Sequence, residues 1–263
     1  MILQEQLIRI RQIMNLNEDS YAGQSVKQYI DDFKEKYKDS TLIWLDTETT
    51  GLKQHENQIT ELAGIATDYK FNILDTFHKK MKLDWSQVKD KEKAKKVIFP
   101  MTRYGERGIK YHDEKETIDE FFEWVDSYEN PVLIAQNAAF DLEYLAVRGR
   151  RKIDYPVIDT KKIIQLFFIP AVQQLSDDEN PEAQKILNSL PLSQKDMGLP
   201  SSSMGKIAPT LDLDVTGWHS AIEDVKIMIE MFKKMMEYFE RNKDVDIRKY
   251  QGKRLKSYRM DDK

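Results

Sequence analysis

The chain has 263 residues, is 40% hydrophobic and contains no cysteine. That length suits one globular domain, or one domain with an appendage. The missing cysteine excludes disulfides, thiolate zinc sites and thiol nucleophiles, and fits an intracellular, cytoplasmic setting (host cytoplasm if the source is viral). A net charge of −4 argues against a polyanionic partner for the chain as a whole, but it says little about any local groove.

Residues 1–40 read as a helical N-terminal extension. Leu3, Leu7, Ile10 and Met14 recur at spacings of three and four, an amphipathic stripe expected to lie against the domain that follows. Glu5, Arg9 and Arg11 interrupt its apolar residues, so no signal-peptide core forms. No run in the chain reaches the length needed to span a bilayer, which predicts a soluble protein with no membrane partner. Residues 15–23 form a break, and Val26–Tyr37 a second helix. At Thr41 the pattern turns to strands. The apolar run "TLIWLD" reads as a central strand covered on both faces. "ITELAGIATDY" and "NILDTFHKKMKL" follow as two more, with a turn near Lys70, Phe71 and Asn72, giving an antiparallel meander.

Residues 84–115 are charged and irregular and read as an insertion or loop. "KETIDEFFEWVDSY" has helical spacing at Ile118, Phe121, Phe122 and Val125. "PVLIAQ" is a short buried strand, "AAFDLEYLAVR" a helix, "YPVID" a strand and "TKKIIQLFFIPAVQQL" a helix. Residues 176–218 are loop or short helices, and "SAIEDVKIMIEMFKKMMEYF" is a long amphipathic helix. Strands followed by alternating helix and strand indicate an α/β domain with a mixed sheet over residues 41–241. Beyond it, residues 242–263 form a basic tail. Six basic residues and two tyrosines between Arg248 and Arg259 make an unspecific nucleic-acid footprint.

Three places put acids where elements end. Asp46 and Glu48 are two apart on a strand, so both face the same side. Alone, the pair reads equally as a solvated strand end or as half of a metal site. Asp141 falls in the first turn of a helix if Asn137 caps it. In "GWHSAIEDVKIM", Ser220 and Glu223 form the S-x-x-E of a capping box. That places His219 before the cap, on a segment that can move, and Asp224 inside the first turn. A mobile imidazole beside a fixed carboxylate suits a general base next to a metal ligand. Acids in a helix's first turn are often structural, since the helix dipole favours them. Three such places in order within one α/β domain shift the balance towards a shared cleft. Four acids and one histidine without sulfur indicate hard cations, Mg²⁺ or Mn²⁺. Two such ions imply phosphoryl chemistry, with His219 removing the proton from an attacking water.

"DTETTG" with Glu61 in "ITELAGI", then "NAAFD", then "HSAIED" resemble the three exonuclease motifs of the DEDD superfamily, histidine-type branch (DEDDh). Its members include proofreading exonucleases of bacterial replicative polymerases, ribonuclease T, oligoribonuclease and several phage exonucleases. The resemblance covers residues 41–240. It implies a ribonuclease H-like sheet flanked by helices and 3′→5′ release of nucleoside monophosphates from single-stranded DNA or RNA ends, DNA weakly preferred. Under it, Asp46, Glu48 and Asp224 bind the tighter metal, with Asp46 bridging to the second. Asp141 completes the acidic set, partly through water, and His219 is the general base. Thr49, Thr50, Gly51 and Leu52 meet the terminal nucleotide, together with Asn137 and Phe140. Phe140, Trp218 and Tyr104 are candidate stacking residues, and Phe140 reads equally as core.

The sequence departs from that pattern at Gln136, where many members have histidine before the second-motif asparagine. "QLFFIP" (165–170) has some letters of a sliding-clamp peptide but reads as a core helix. A polymerase or other replication partner, if there is one, is expected to be a separate chain. Two alternatives stand beside this reading: an RNA-processing exonuclease of the same fold, and a nucleic-acid-binding or scaffold module without activity.

Overall fold

The computed structural model describes residues 21, 23–92, 94–96, 105, 108–193, 198–217 and 219–253. The stripe from Leu3 to Met14, the stacking candidates Tyr104 and Trp218, and the tail from residue 254 onward lie outside the described residues. The rest divides into two compact units. One holds residues 39–158 and 217–226, and the other holds the described residues of 15–38, 159–216 and 227–253.

The first unit is built on a six-stranded mixed sheet in the order β4-β3-β2-β1-β5-β6. β1 (Thr41–Thr49), β2 (Ile59–Thr67) and β3 (Ile73–Met81) form the antiparallel meander. β5 (Pro131–Ala135) runs parallel to β1, while β4 (Tyr111–His112) and β6 (Val157–Asp159) are short. The β2–β3 turn closes where expected. Phe71 takes a left-handed φ of 66°, and the Asp68 carboxylate accepts bonds from the Lys70 and Asn72 backbone N–H groups. That side chain does what a turn aspartate does, replacing strand partners the reversing backbone lacks.

The two faces of the meander differ sharply. Ile43 and Leu45 of β1 and Leu62 and Ala66 of β2 are fully buried and join one apolar cluster with helices α2 (Glu114–Asp126) and α3 (Ala138–Gly149). Gly64 lies on this face because nothing larger fits. A Cβ there would come within 2.8 Å of the Phe121 ring and 2.9 Å of Trp124. Asp113 caps α2 by accepting the Glu116 N–H, as sequence preference at this position predicts. The alternate residues of the same strands point to the opposite face and carry the acids. Such alternation is what lets one strand serve core and cleft together.

In the second unit, α1 (Val26–Tyr37) has the expected bounds, and its Tyr29 ring stacks on Phe167 at 4.4 Å. The helix expected as one piece after β6 is interrupted. A short turn, α4 (Thr160–Ile163), widens into a π-helical stretch at Ile164–Phe168 before α5 (Ile169–Asp177). Pro170 is the reason: it has no N–H to bond back along the helix, and its ring crowds the carbonyl four residues earlier. Gln165 to Pro170 are all buried, which settles "QLFFIP" as core. Residues 176–218 contain α6 (Pro181–Ser189), the strand pair β7 (Leu192–Ser193) and β8 (Leu199–Pro200), and α7 (Met204–Thr210). α8 (Ala221–Arg241) starts in the first unit. No helix among the described residues is long and apolar enough to cross a membrane.

Candidate active site

β1 pairs with β5 only as far as Trp44, and beyond that point it runs on past the end of its parallel neighbour. Asp46 and Glu48 lie on this overhang. In the regular register that runs from Leu42 to Glu48, before the shift at Thr49, Glu48 lies directly across from Glu61 of β2, which in turn faces Lys80 of β3. Asp46 lies across from Ala63, and Ala63 from His78. Two cross-strand rows therefore lie side by side on one face of the sheet: Glu48–Glu61–Lys80 and Asp46–Ala63–His78.

Asp141 reaches the site from α3, past the end of β5. Its Oδ1 accepts the Thr47 N–H at 3.0 Å and the Thr47 hydroxyl at 2.6 Å. The first of these is the strand bond that β5 ends too early to make, so a buried donor is satisfied by a carboxylate. Asn137 does occupy the N-cap position of α3, but in a left-handed conformation (φ 64°) and with no side-chain capping bond. The capping role expected of it from sequence is therefore corrected: with that backbone its carboxamide is not directed at the helix's first N–H groups.

The third segment stands at the start of α8. Ser220 precedes the helix, and its carbonyl accepts the Asp224 N–H at 2.9 Å. Its hydroxyl donates to Glu61 at 2.9 Å, and the Glu223 carboxylate pairs with Lys226 at 2.7 Å. His219 lies just outside the helix with a φ of 78°, and its backbone N–H points to Asp224 Oδ1 at 3.3 Å.

Asp46, Glu48 and Asp224 offer carboxylate oxygens that all lie within 4.8 Å of one another. Asp141 is not in that triple, although its charge is the largest influence on Asp46 after burial. Burial pushes the Asp46 carboxyl well above the usual range, reinforced by the charges of Asp141, Glu48, Asp224 and Glu61. Glu48 is pushed up to about 8, again first by burial and then by Asp224, Glu61 and Asp141, with only Lys80 opposing. Carboxylates massed in this way repel unless protons or cations neutralise them. An all-oxygen donor set with Asp46 and Glu48 half-buried fits hard divalent cations.

The chain after β1 forms a built shelf. The Thr50 N–H bonds to the Gln58 carbonyl and the Gln58 N–H to the Thr50 hydroxyl, at 2.9 and 3.0 Å. The Gly51 carbonyl accepts two hydroxyls, from Thr49 and Tyr144, each at 2.7 Å. Burial pushes the Tyr144 phenol up to about 12, so it stays a donor. A Cβ at Gly51 would lie 2.6 Å from Asn57 Oδ1, and Asn57 is itself held by Thr50 and by the Lys53 carbonyl. Glycine is needed here for close approach. Leu52, 79% exposed, projects from this shelf as a bare apolar side chain. Phe140 is half-buried against the core cluster, its ring 5.1 Å from Tyr144.

Sequence reasoning missed Thr47, His78, Lys80 and Tyr144. His78 and Lys80 alternate correctly on β3, but only the register shows that they meet Glu61. Tyr144 lies one turn beyond Asp141, on the same side of α3.

The mixed sheet, with acids at the end of its first strand, is of the ribonuclease H-like class. Residues 43–232 match the RNase T exonuclease family model, and the chain belongs to that exonuclease family. In sequence it is 31% identical over 118 residues to the oligoribonuclease of Haemophilus influenzae, covering 40% of this chain and 62% of that protein. It is 30% identical over 123 residues to the oligoribonuclease of Actinobacillus pleuropneumoniae, covering 42% and 65%. The chain thus matches less than two thirds of these relatives' length. In fold it is similar to E. coli exonuclease I in complex with a dT13 oligonucleotide (TM-score 0.55, 19% identity, 74% of this chain and 40% of that one). The zinc-bound E. coli exonuclease I–single-stranded DNA complex gives a TM-score of 0.54 at 17% identity, over 76% and 42%.

Proposed function

We propose that this chain is a divalent-metal-dependent 3′→5′ exonuclease that releases nucleoside 5′-monophosphates from single-stranded ends. The observation that carries the reading is the convergence of Asp46, Glu48 and Asp224 within 4.8 Å, beside His219, in a member of the exonuclease family. Asp46, Glu48 and Asp224 would hold a Mg²⁺ or Mn²⁺, and Asp141 beside them would complete the acidic set for a second. When bound, the ions supply positive charge to the attacking and leaving oxygens of the phosphodiester. His219 takes the proton from the attacking water as general base. Asp141, through Thr47, keeps the overhanging end of β1 in place. The Thr49–Leu52 shelf meets the terminal nucleotide: backbone at Gly51 approaches the sugar, and Leu52 and Phe140 flank the base. Asn137, exposed at the start of α3, is proposed as a further contact to that nucleotide. The exonuclease domain is taken as residues 41–241, with the N-terminal extension and basic tail as appendages. The setting is cytoplasmic.

DNA is the weakly preferred substrate. A second reading, a 3′→5′ exoribonuclease, is favoured by the likeness to oligoribonucleases. Incubating 5′-labelled single-stranded DNA and RNA of matched sequence with Mg²⁺ decides between them. A ladder shortening from the 3′ end, absent with chelator and with Asp46→Ala, is expected. An intact strand under all conditions would sink the enzyme reading, and tight binding without turnover would favour a non-catalytic module.

A further inference from the structure

Glu61 is fully buried, on the same face as the acids and directly across from Glu48. An added carboxylate at that place works against the sheet, since like charges facing one another across strands repel. Its surroundings show what holds it. Oε1 accepts from His78 Nε2 at 2.8 Å and from the Ser220 hydroxyl at 2.9 Å. Oε2 lies 3.3 Å from Lys80 Nζ. His78 and Lys80 both project from β3 towards it, so one strand supplies a hydrogen-bonding imidazole and an ammonium to this carboxylate. A buried charge is tolerated when paired in this way, but an apolar side chain would fill the space at least as stably. The bond to Ser220 gives the charge a purpose.

Ser220 links His219 to the first turn of α8. The Ser220 carbonyl accepts the Asp224 N–H, and Asp224 Oδ1 accepts the His219 N–H. The hydroxyl is the tie that leaves the helix and fastens this corner to the sheet. His219 is held at φ 78°, a backbone state that a residue with a Cβ adopts only when its surroundings impose it. Its own N–H is tied on one side and its neighbour's side chain on the other.

We infer that Glu61 is a positioning residue, which through the Ser220 hydroxyl fixes the backbone corner presenting His219 to the acidic cluster. The inference rests on the reading of His219 as general base. Removing the tie leaves the acids in place and loosens the imidazole. Misplacing a reacting group by about 1 Å costs on the order of 100-fold in rate.

The test uses the full chain with Ser220→Ala, Ser220→Thr and Glu61→Gln, in wild-type and His219→Ala backgrounds. Ser220→Ala is expected to lower kcat roughly 10–100-fold, with KM and melting temperature little changed. Ser220→Thr, which keeps the hydroxyl, should restore most of the rate. In the His219→Ala background, Ser220→Ala should lower kcat no further. An unchanged kcat for Ser220→Ala, or an equal loss with and without His219, would overturn the inference. A second arm needs no turnover: NMR of ¹³C-histidine-labelled protein should give one narrow His219 ring signal that broadens or splits in Ser220→Ala. An identical signal in both proteins would overturn the inference even with an inactive wild type, whereas inactivity alone would count against the catalytic reading.

Discussion

Glu48 and Glu61 face each other across adjacent strands, yet their surroundings drive them in opposite directions. Burial and three neighbouring carboxylates push Glu48 up to about 8. Burial acts on Glu61 too, but the bond from His78, the charge of Lys80 and the bond from Ser220 outweigh it and hold Glu61 below the usual range. The protein has thus matched one acid with a lysine and two hydrogen-bond donors and set the other among carboxylates. The unneutralised set (Asp46, Glu48 and Asp224) is the one that converges on a common point. A carboxylate matched by protein cations is part of the scaffold. On the function proposed above, one surrounded by its own kind is where an external cation would bind.

The largest effect that would break this comparison is on activity. Asp46→Asn should reduce turnover by about 1,000-fold or more, as expected when a group acting together with its neighbours is removed. Rates on a 5′-labelled single strand check this, and a loss under tenfold would contradict it. Stability should separate the two acids in the opposite sense. Glu61→Gln leaves His78 and Lys80 beside a neutral group and should cost about 2–4 kcal/mol, with or without metal. Asp46→Asn relieves repulsion and should raise the melting temperature in chelator by roughly 2–4 °C, the equivalent of about 1 kcal/mol. Thermal unfolding of both variants in excess EDTA measures the pair.

The pH dependence in chelator sharpens the contrast. Glu48 has a raised folded pKa, so the folded state prefers its neutral form. Stability should fall as pH rises from the unfolded value near 4.5 towards about 8, and Glu48→Gln should flatten that limb. Glu61 has a depressed folded pKa, so its contribution is present above the unfolded value and lost as pH falls through the folded one. Glu61→Gln should flatten the acid limb instead. The smallest effect concerns the shelf. Tyr144→Phe removes one of two hydroxyls on the Gly51 carbonyl and should cost about 1 kcal/mol in stability. It should raise KM a few-fold with kcat nearly constant, and a dominant kcat effect would move Tyr144 out of the shelf.

Much of this was legible in the sequence because it depends on short-range rules. Strand alternation placed Asp46 and Glu48 together, and helix-start signals placed Asp141 and Asp224 in first turns, where α3 and α8 have them. The compensation of Glu61 was not legible, and the reason is a single residue. β2 and β3 shift register between Ala66 and Thr67. Counting back from the Thr67–Ile73 pair would set Glu61 against Lys79, whose side chain points to the other face and bonds Glu120 of α2. The bulge brings Lys80 opposite instead. A one-residue shift flips every side chain, and nothing local in "NILDTF", where Leu74 is the extra residue, announces it. The π-helical turn before Pro170 was missed for a related reason: apolar periodicity continues through it while the backbone cannot.

The most direct test is a Mn²⁺ titration of wild type, Asp46→Asn and Glu61→Gln, with free ion followed by electron paramagnetic resonance. Wild type should bind two ions and Glu61→Gln nearly as many, whereas Asp46→Asn should lose at least the tighter site. Equal binding by all three proteins, or none by wild type at millimolar-order Mn²⁺, would contradict the claim that the Asp46–Glu48–Asp224 cluster is built around an external cation.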